Sequence, residues 1–314
     1  MTQAAQDPAD YVLPLYMNGL EGRVLKLPAS GKGSREILFI YGQHSSLERW
    51  WGAAQVLQKY GNVTIPDLPG FGGMTSLYKI GRRGSIDELA DYLAAYVKLR
   101  YKKQPITIFG MSLGFAIVTR MLQRYPTLVP RVDMLVSIVG LAHAEDFIFS
   151  ARRRRFYAAF SWLYSRSGVA VLFRLLFLNP SYLRRVYKHS RFAKEKLAKL
   201  SGDEFKETMD MELRLWKIND IRTQMQTNYE MMTLDNTMAK VALPVWHVAS
   251  HKDRYFNHAK VEEHFRKIFN DFHIFYTRDP NHAPTIIADS KAAGPFFPAG
   301  LRRALAAKSK AKKK

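Results

Sequence analysis

The chain has 314 residues, 47% of them hydrophobic, which is enough to bury a sizeable core and excludes disorder of the whole chain. It contains no cysteine, so neither disulfides nor thiolate metal sites stabilise it, and this favours the cytoplasm. Residues 1–10 lack the basic start and the apolar region of a secretory signal, and no apolar run approaches the ~20 residues that span a bilayer.

The formal net charge of +21 is concentrated in two segments. Residues 151–200 contain thirteen Arg and Lys against one acid, and the last twenty residues contain seven bases and no acid. Together the two segments carry +19 of the total, so the rest of the chain is nearly balanced. This distribution indicates an anionic partner or an anionic substrate.

Short strands and helices are predicted to alternate along the chain. The first two strands flank a turn at residues 17–20 and form a hairpin. The predicted strands are residues 11–16, 22–27, 36–41, 63–65, 105–109, 132–139, 245–249 and 272–276. The predicted helices between them are residues 46–60, 85–99, 113–123 and 259–270. Alternation in such short units is typical of a parallel sheet covered by helices.

The alternation stops after the sixth predicted strand. Residues 147–238 contain no strand pattern, but apolar residues recur at helical spacing, for example Phe156, Phe160 and Leu163. We therefore predict a helical insertion, and a disordered tail because lysines dominate the last residues. The predicted units are a core in two parts, residues 1–146 and 243–300, the insertion at 147–242 and the tail at 301–314.

The strongest chemical signal is the sequence Gly110-Met111-Ser112-Leu113-Gly114, which matches G-x-S-x-G. It lies between a predicted strand and a predicted helix. The two glycines let the chain turn sharply enough to hold the serine in a strained, exposed position at the strand end. We therefore predict that Ser112 is a nucleophile.

A serine hydroxyl is a weak nucleophile and needs a base, which in turn needs an orienting acid. His282 follows the last predicted strand and Asp253 follows the strand before it. Both therefore lie on loops at the sheet edge where Ser112 is expected. We predict that His282 is the general base and Asp253 the acid.

Other acids and histidines have less suitable positions. Glu145 and Asp146 follow the preceding strand and are alternative acids for the same histidine, whereas Asp279 is interpreted as a loop-capping residue. The histidines that fall within predicted strands or helices are interpreted as structural, namely His247, His258, His264 and His273.

An acyl-transfer site also needs an oxyanion hole, which is made of two backbone N–H groups aimed at the tetrahedral intermediate. One is expected from Leu113, the residue after the nucleophile, and the other from Gln43 in the loop after the third strand. His44 and Met111 are candidate substrate contacts. For His44, a hydrogen bond within the loop is an equally good interpretation.

These motifs, taken together, resemble a known family. Y-G-Q-H-S-S at residues 41–46, D-L-P-G-F-G at 67–72 and G-M-S-L-G at 110–114 precede an Asp-bearing loop and a terminal N-H-A loop. In this order they are similar to the α/β-hydrolase family, in its lidded branch. The resemblance covers residues 11–142 and 243–300.

The resemblance implies a mostly parallel eight-stranded sheet, a helical lid inserted after the sixth strand, and no cofactor or metal. Members of this kind are esterases, lipases, thioesterases, carbon–carbon bond hydrolases, peptidases and acyltransferases. Tyr41 departs from the family pattern, where relatives often carry His. In the family this position usually supports the loop that follows it. The departure therefore leaves Ser112, Asp253 and His282 unaffected, but it weakens any inference of a substrate class from the resemblance. A serine at the turn between the predicted strand and helix argues against dehalogenases and epoxide hydrolases, which have Asp at that position.

The expected activity is hydrolysis of an acyl ester or thioester through an acyl-Ser112 intermediate. The aromatic residues of the insertion favour an apolar acyl chain. One alternative is hydrolysis of a carbon–carbon bond in a diketo acid, and another is a non-catalytic binding protein on the same fold.

The insertion also predicts a membrane partner. Four consecutive arginines, 152–155, are followed by Phe, Tyr, Trp and Leu residues, and a basic helix with an aromatic face is typical of an interfacial membrane binder. We expect peripheral binding to an anionic membrane surface through the insertion and the tail. The alternative is that the apolar face packs on the core and the arginines are simply solvated. Nucleic acid is disfavoured because no nucleic-acid motif accompanies the charge.

Overall fold

Eight β-strands form one sheet in the structure, a computed structural model that describes residues 7–31, 35–102, 104–189, 202–277, 282 and 290–311. In chain order, the strands are β1 (Val12–Met17), β2 (Leu20–Leu27), β3 (Glu36–Ile40), β4 (Asn62–Pro66), β5 (Ile106–Met111), β6 (Val132–Ile138), β7 (Val241–Ser250) and β8 (Phe269–Thr277). Across the sheet they follow the order β1-β2-β4-β3-β5-β6-β7-β8. Each of the eight strands predicted from the sequence is present.

The sheet is mostly parallel. β1 pairs with β2 and β2 with β4 in antiparallel fashion, and all the other neighbouring pairs are parallel. The hairpin of β1 and β2 closes through Asn18 and Gly19, whose φ angles of 53° and 76° suit a two-residue turn between right-twisted strands. The predicted eight-stranded, mostly parallel fold is therefore confirmed. Parallel pairing brings the carboxyl ends of β3, β5, β6, β7 and β8 to one edge of the sheet, where ligands bind in folds of this class.

Helices connect the strands. In chain order, the helices of the described residues are α1 (Trp51–Leu57), α2 (Ile86–Tyr101), α3 (Leu113–Arg124), α4 (Ala151–Tyr164), α5 (Ser167–Phe177), α6 (Pro180–His189), α7 (Gly202–Ile218), α8 (Ile221–Met232), α9 (His258–Ile268), α10 (Ser290–Ala293) and α11 (Ala299–Ala311). The helix predicted at residues 46–60 is divided, because a 3₁₀ turn at Leu47–Trp50 precedes α1 and α1 ends at Leu57.

The centre of the sheet is the core of the protein. All six residues of β5 are buried, and so are the last four of β3. Their sequences, ILFI and ITIFGM, are almost continuously apolar because helices cover both faces of a parallel sheet. The two strands that carry the loops nearest Ser112 are therefore held rigidly on both sides.

Five described helices, α4 to α8, lie between β6 and β7, at the position that the sequence predicts for the insertion. We call these five helices the insertion. α4 packs along α8, and α5 contacts both. In the part of the chain that the structure describes, none of the helices combines the length and the apolar character needed to cross a bilayer.

The disorder predicted for the tail, residues 301–314, is wrong as far as the structure describes it, because α11 continues to Ala311. Leu301 and Leu305, one helical turn apart, are fully buried in the main core. The Arg35 guanidinium donates a hydrogen bond to the Leu305 carbonyl at 3.0 Å. The lysine count obscured this pair of leucines and the strong helix propensity of the intervening Ala and Arg. Residues 312–314 lie outside the described residues.

Replacing Leu305 with Ala tests the packing of α11. We expect the free energy of unfolding to fall by about 3 kcal/mol, because the substitution leaves a cavity in the core. Urea denaturation of the wild type, Leu305→Ala and the exposed control Arg303→Ala measures the change. A disordered tail would make the two variants equally stable, which would contradict the packing described here.

Candidate active site

Ser112 lies at a sharp turn between β5 and α3, with φ 48° and ψ −120°. The glycines on either side of it are required by close packing. A Cβ atom at Gly110 would lie 2.6 Å from the Phe115 Cα, and one at Gly114 would lie closer than 3.0 Å to the Ile40 and Tyr41 carbonyl oxygens. The structure therefore has the strained backbone predicted from G-x-S-x-G, and the Ser112 side chain is half-buried rather than exposed.

Backbone strain is concentrated at this edge of the sheet. His44 and Val139 also have positive φ angles, 52° and 40°, and they follow β3 and β6 on either side of Ser112. Such conformations cost of order 1–3 kcal/mol for a non-glycine residue and persist only where the surrounding structure imposes them. The three adjacent strands β3, β5 and β6 are thus each followed by a strained residue.

The structure brings the three predicted triad residues together. His282 Nε2 lies 3.3 Å from Ser112 Oγ, and His282 Nδ1 lies 2.8 Å from Asp253 Oδ2. The other carboxylate oxygen of Asp253 accepts hydrogen bonds from the N–H groups of Tyr255 and Phe256, at 2.8 and 3.1 Å. The rings of these two residues pack edge-on against the imidazole, with centroids 5.0 and 4.9 Å away. Both the carboxylate and the imidazole are thereby held in place.

Asp253 is an anion at neutral pH. Burial works to raise the pKa of its carboxyl, but the hydrogen bond and charge of His282 and the two backbone N–H groups outweigh burial and hold the pKa below its usual value. A buried anion beside the imidazole Nδ1 favours the tautomer that carries its proton there and leaves Nε2 directed at Ser112.

The alternative acids are positioned elsewhere. The Asp146 carboxylate is fully buried, lies 2.6 Å from His264 Nδ1 and accepts hydrogen bonds from the Ala142 and His143 N–H groups. Glu145 is exposed and lies near Arg154, 3.9 Å away. The contacts of Asp146 are thus made to the end of β6 and to α9, whereas Asp253 contacts His282. Asp279 lies outside the described residues.

Two of the histidines interpreted as structural pack beneath the site. His247 is buried in β7, its Nδ1 lies 2.9 Å from Ser137 Oγ, and burial lowers its pKa to about 3, so it is neutral. His258 Nε2 lies 2.6 Å from the Ser250 carbonyl oxygen, just before the loop that carries Asp253. Both histidines thus stabilise the strand from which the acid loop leaves.

The loop after β3 passes directly beside the serine. A Cβ atom at Gly42 would lie 3.2 Å from Ser112 Cβ, so only glycine allows this approach. Gln43 follows, and its side-chain amide donates a hydrogen bond to the Gln224 carbonyl of α8 at 2.7 Å. Leu113 is the first residue of α3, where a backbone N–H has no carbonyl partner within the helix. The two residues predicted for the oxyanion hole therefore flank Ser112.

His44 links the same loop to the insertion. Its Nδ1 lies 3.2 Å from Gln224 Oε1, and its Nε2 lies 3.3 Å from a carboxylate oxygen of Glu212. Its ring packs 4.3 Å from the Trp216 ring. Met111, the other predicted substrate contact, is buried at the end of β5. Substrate contact by either residue stays a prediction.

The loop after β3 is held by contacts between distant residues, which the sequence did not reveal. The Tyr41 hydroxyl donates to Asp67 Oδ1 at 2.8 Å and accepts from the Leu68 N–H, and Arg23 binds the same buried carboxylate at 2.9 Å. This network fixes the start of the loop that carries Gln43, which is the supporting role expected for Tyr41. Asp67 was visible only within the D-L-P-G-F-G motif, and Gln224 is 181 residues from Gln43 with no local motif.

One group of side chains in the described residues has the composition of a metal site. Ligand atoms of His143, Glu145 and His264 all lie within 4.8 Å of one another. One ring nitrogen of each histidine already has another partner, however. His264 Nδ1 contacts Asp146, and His143 Nδ1 accepts a hydrogen bond from the Glu145 N–H. These contacts explain the cluster as part of the turn after β6.

Comparison with known proteins places these features in a wider group. The chain matches the family model described as alpha/beta hydrolase fold over residues 36–284. No curated protein sequence matches it. Its structure is similar to that of a membrane phospholipase A, described as a bacterial virulence factor. The two chains are 13% identical with a TM-score of 0.63, and the match covers 95% of this chain and 86% of that chain.

Two further solved structures are similar in the same way. A thermophilic esterase from Thermogutta terrifontis has 15% identity and a TM-score of 0.56, with 94% of this chain and 97% of that chain covered. An N-acyl homoserine lactonase has 18% identity and a TM-score of 0.62, with 94% and 95% covered. At these identities the likeness concerns the fold.

Replacing Gly114 with Ala tests the close approach of α3 to β3. We expect a loss of about 2 kcal/mol or more in the free energy of unfolding, because the new methyl group would meet backbone carbonyls that cannot move aside. Gly168→Ala is a matched control, since Gly168 is likewise the second residue of a helix and a Cβ atom there would meet no heavy atom within 4 Å. Equal stability of the two variants in urea denaturation would show that the approach is looser than described.

Proposed function

Because this chain belongs to the alpha/beta hydrolase fold family, we propose that it is a serine hydrolase that cleaves an acyl ester or thioester through an acyl-Ser112 intermediate. The observation that carries the proposal is the continuous contact from Ser112 Oγ to His282 and on to Asp253, at 3.3 and 2.8 Å. A nucleophile, a base and an orienting acid within hydrogen-bond reach are what acyl transfer by serine requires.

In the proposed reaction, Ser112 Oγ attacks the carbonyl carbon of the substrate while its proton moves to His282 Nε2. The carbonyl oxygen becomes an oxyanion, which the N–H groups of Gln43 and Leu113 stabilise. His282 then returns the proton to the leaving alkoxide or thiolate, and the acyl group stays on Ser112. A water molecule attacks the acyl-enzyme with His282 again as base, which releases the acid and restores the serine.

Asp253 has a positioning and electrostatic role in this mechanism. Its buried carboxylate fixes the imidazole orientation and stabilises the imidazolium that forms when His282 takes the proton. The lowered pKa of Asp253 supports this role, because a protonated carboxyl would lose the charge that stabilises the imidazolium.

We assign to the insertion the role of a lid that shapes the acyl side of the site. We call the loop after β3 that carries Gln43 the oxyanion loop. α7 and α8 contact this loop through Trp216 and Gln224, so the insertion borders Ser112 from the side of the oxyanion loop. The Trp216 ring packs on His44 in that loop, so an apolar ring lies on the insertion side of the site and favours an apolar acyl chain. The names of the three similar structures, an esterase, a phospholipase and a lactonase, denote cleavage of the same class of bond.

The substrate class is tested by turnover of p-nitrophenyl esters of increasing chain length, with acyl-CoA thioesters alongside. The proposal expects measurable kcat/KM on esters or thioesters, rising from acetyl to a longer acyl chain. Cleavage of a diketo acid without any ester or thioester turnover would contradict it.

Ser112→Ala and His282→Ala are each expected to lower kcat by roughly three to six orders of magnitude while the fold is kept. The reason is that each removes a group that changes its bonds in the transition state. Steady-state assays on the best ester, with circular dichroism as the check on folding, measure the effect. Residual activity within tenfold of wild type would mean that another residue is the nucleophile or base.

The acid is tested by a second set of variants. Asp253→Asn keeps the shape but removes the charge and reverses a hydrogen bond, so we expect kcat to fall by roughly three orders of magnitude or more. Glu145→Gln and Asp146→Asn, compared per mole of folded protein, are expected to stay within about tenfold of wild type, since their contacts are made away from His282. The opposite ranking would move the acid to the loop after β6.

A further inference from the structure

The insertion exposes an apolar surface. Among the described residues, nineteen large hydrophobic side chains are exposed, and twelve of them lie between residues 148 and 186. We call the exposed apolar residues of α4 and α5 the outer face. They are Phe156, Phe160, Trp162, Leu163, Val171, Leu172, Leu175, Leu176 and Phe177. Soluble proteins rarely expose so many large apolar residues together unless the surface binds something.

The orientation of α5 is the clearest sign of this surface. Its small residue, Ala170, is buried against Ile221 and Met225 of α8, together with the partly buried ring of Phe173. Its larger aliphatic residues face outward, and Leu175 keeps 69% of its surface exposed. A helix that only covered the core would place its leucines inward and polar residues outward. The outward side of α5 is therefore built for an apolar environment.

The charged residues of α4, α5 and α6 have one sign. Residues 151–189 contain nine Arg and Lys and no Asp or Glu. Two of the arginines stack on aromatic rings at the surface, Arg153 on Phe149 at 4.7 Å and Arg166 on Trp162 at 4.2 Å. Arginine beside exposed aromatic and aliphatic side chains suits an interface where acyl chains meet anionic headgroups.

We propose that the outer face docks on an anionic lipid bilayer, with α4 and α5 lying along the headgroup region. Charge complementarity selects this occupant. A second copy of the chain would bring two strongly basic surfaces together, and like charges disfavour that contact. A lipid surface supplies both the apolar layer that the leucines need and the negative charge that the arginines need.

The proposal concerns the insertion alone and not the tail. Leu305 of α11 lies beside Arg35, just before the start of β3, whereas Ser112 and the insertion lie at the carboxyl ends of the strands. Leu305 itself therefore lies near the end of the sheet opposite Ser112. Joint membrane binding by the insertion and the tail stays a prediction, which the shortened chain below tests.

Docking in this orientation would turn the Ser112 end of the sheet toward the bilayer. The outer face is connected to the oxyanion loop through α8, because Asn228 Nδ2 contacts Ser161 Oγ of α4 and Gln224 contacts Gln43. Binding does not depend on catalysis, however. Ser112→Ala is expected to bind vesicles like the wild type, so failure of the proposed function and failure of docking are separate results.

The test is co-sedimentation of the full chain with vesicles of phosphatidylcholine alone or mixed with phosphatidylglycerol, at low and high salt. Leu175→Ser/Leu176→Ser is expected to weaken binding to the anionic vesicles about tenfold or more at both salt concentrations. Its control is Leu99→Ser, since Leu99 has a similar exposure on α2, outside the insertion. Arg152→Gln/Arg155→Gln is expected to weaken binding about tenfold or more at low salt only, against the charge-matched control Lys26→Gln/Arg303→Gln.

Two further measurements locate the contact. Brominated lipids should quench the fluorescence of the wild type more than that of Trp162→Phe, and a chain that ends at Ala306 should bind as well as the full chain. The proposal is overturned if the full chain ignores anionic vesicles at low salt. It is also overturned if the shortened chain loses binding while Leu175→Ser/Leu176→Ser keeps it. Absence of vesicle binding together with a dimer that Leu175→Ser/Leu176→Ser dissociates would assign the outer face to a second copy of the chain.

Discussion

The close packing of α3 against β3 is the constraint on which the site depends. Because Gly114 has no side chain, the first turn of α3 rests on the carbonyl oxygens of Ile40 and Tyr41. Interiors packed at this density transmit small displacements, so the position of Ser112 is tied to the end of β3. The same approach places Gly42 against Ser112 and sets Gln43 beside it. Ser112 and the loop that carries Gln43 are thus positioned by one contact.

The two halves of the core contribute different residues to the proposed site. The first half holds Ser112 in strained backbone between buried strands, and the second half supplies Asp253 and His282 from loops after β7 and β8. The insertion lies between these halves in sequence and contacts the site in space, since α8 binds the loop after β3 through Gln224. The outer face proposed to dock on a bilayer and the contact of Gln224 with the loop after β3 therefore belong to the same helical insertion.

The fold, and the meeting of Ser112, Asp253 and His282 at one edge of the sheet, were predictable from the sequence because their signals are local. Short apolar runs predict the buried strands, and a fixed spacing of glycines predicts the sharp turn at Ser112. Contacts between distant residues were not predictable in the same way. The choice of Asp253 over Asp146 depends on which histidine each carboxylate meets, and the anchoring of Gln43 depends on a backbone carbonyl of a helix far along the chain. The helix in the tail was not predictable either. Leu301 and Leu305, which pack into the core, are only two residues among many lysines and alanines.

The most direct test of the proposed triad is covalent labelling with a fluorophosphonate probe, read by the intact mass of the protein and by peptide mapping. We predict one adduct per chain, located on Ser112, that forms in the wild type and is nearly absent in His282→Ala, because the imidazole must take the serine proton for the hydroxyl to attack. Failure of the folded wild type to react, or an adduct on another residue, would contradict the assignment of Ser112 as an activated nucleophile and return the chain to the class of non-catalytic binding proteins or to another site.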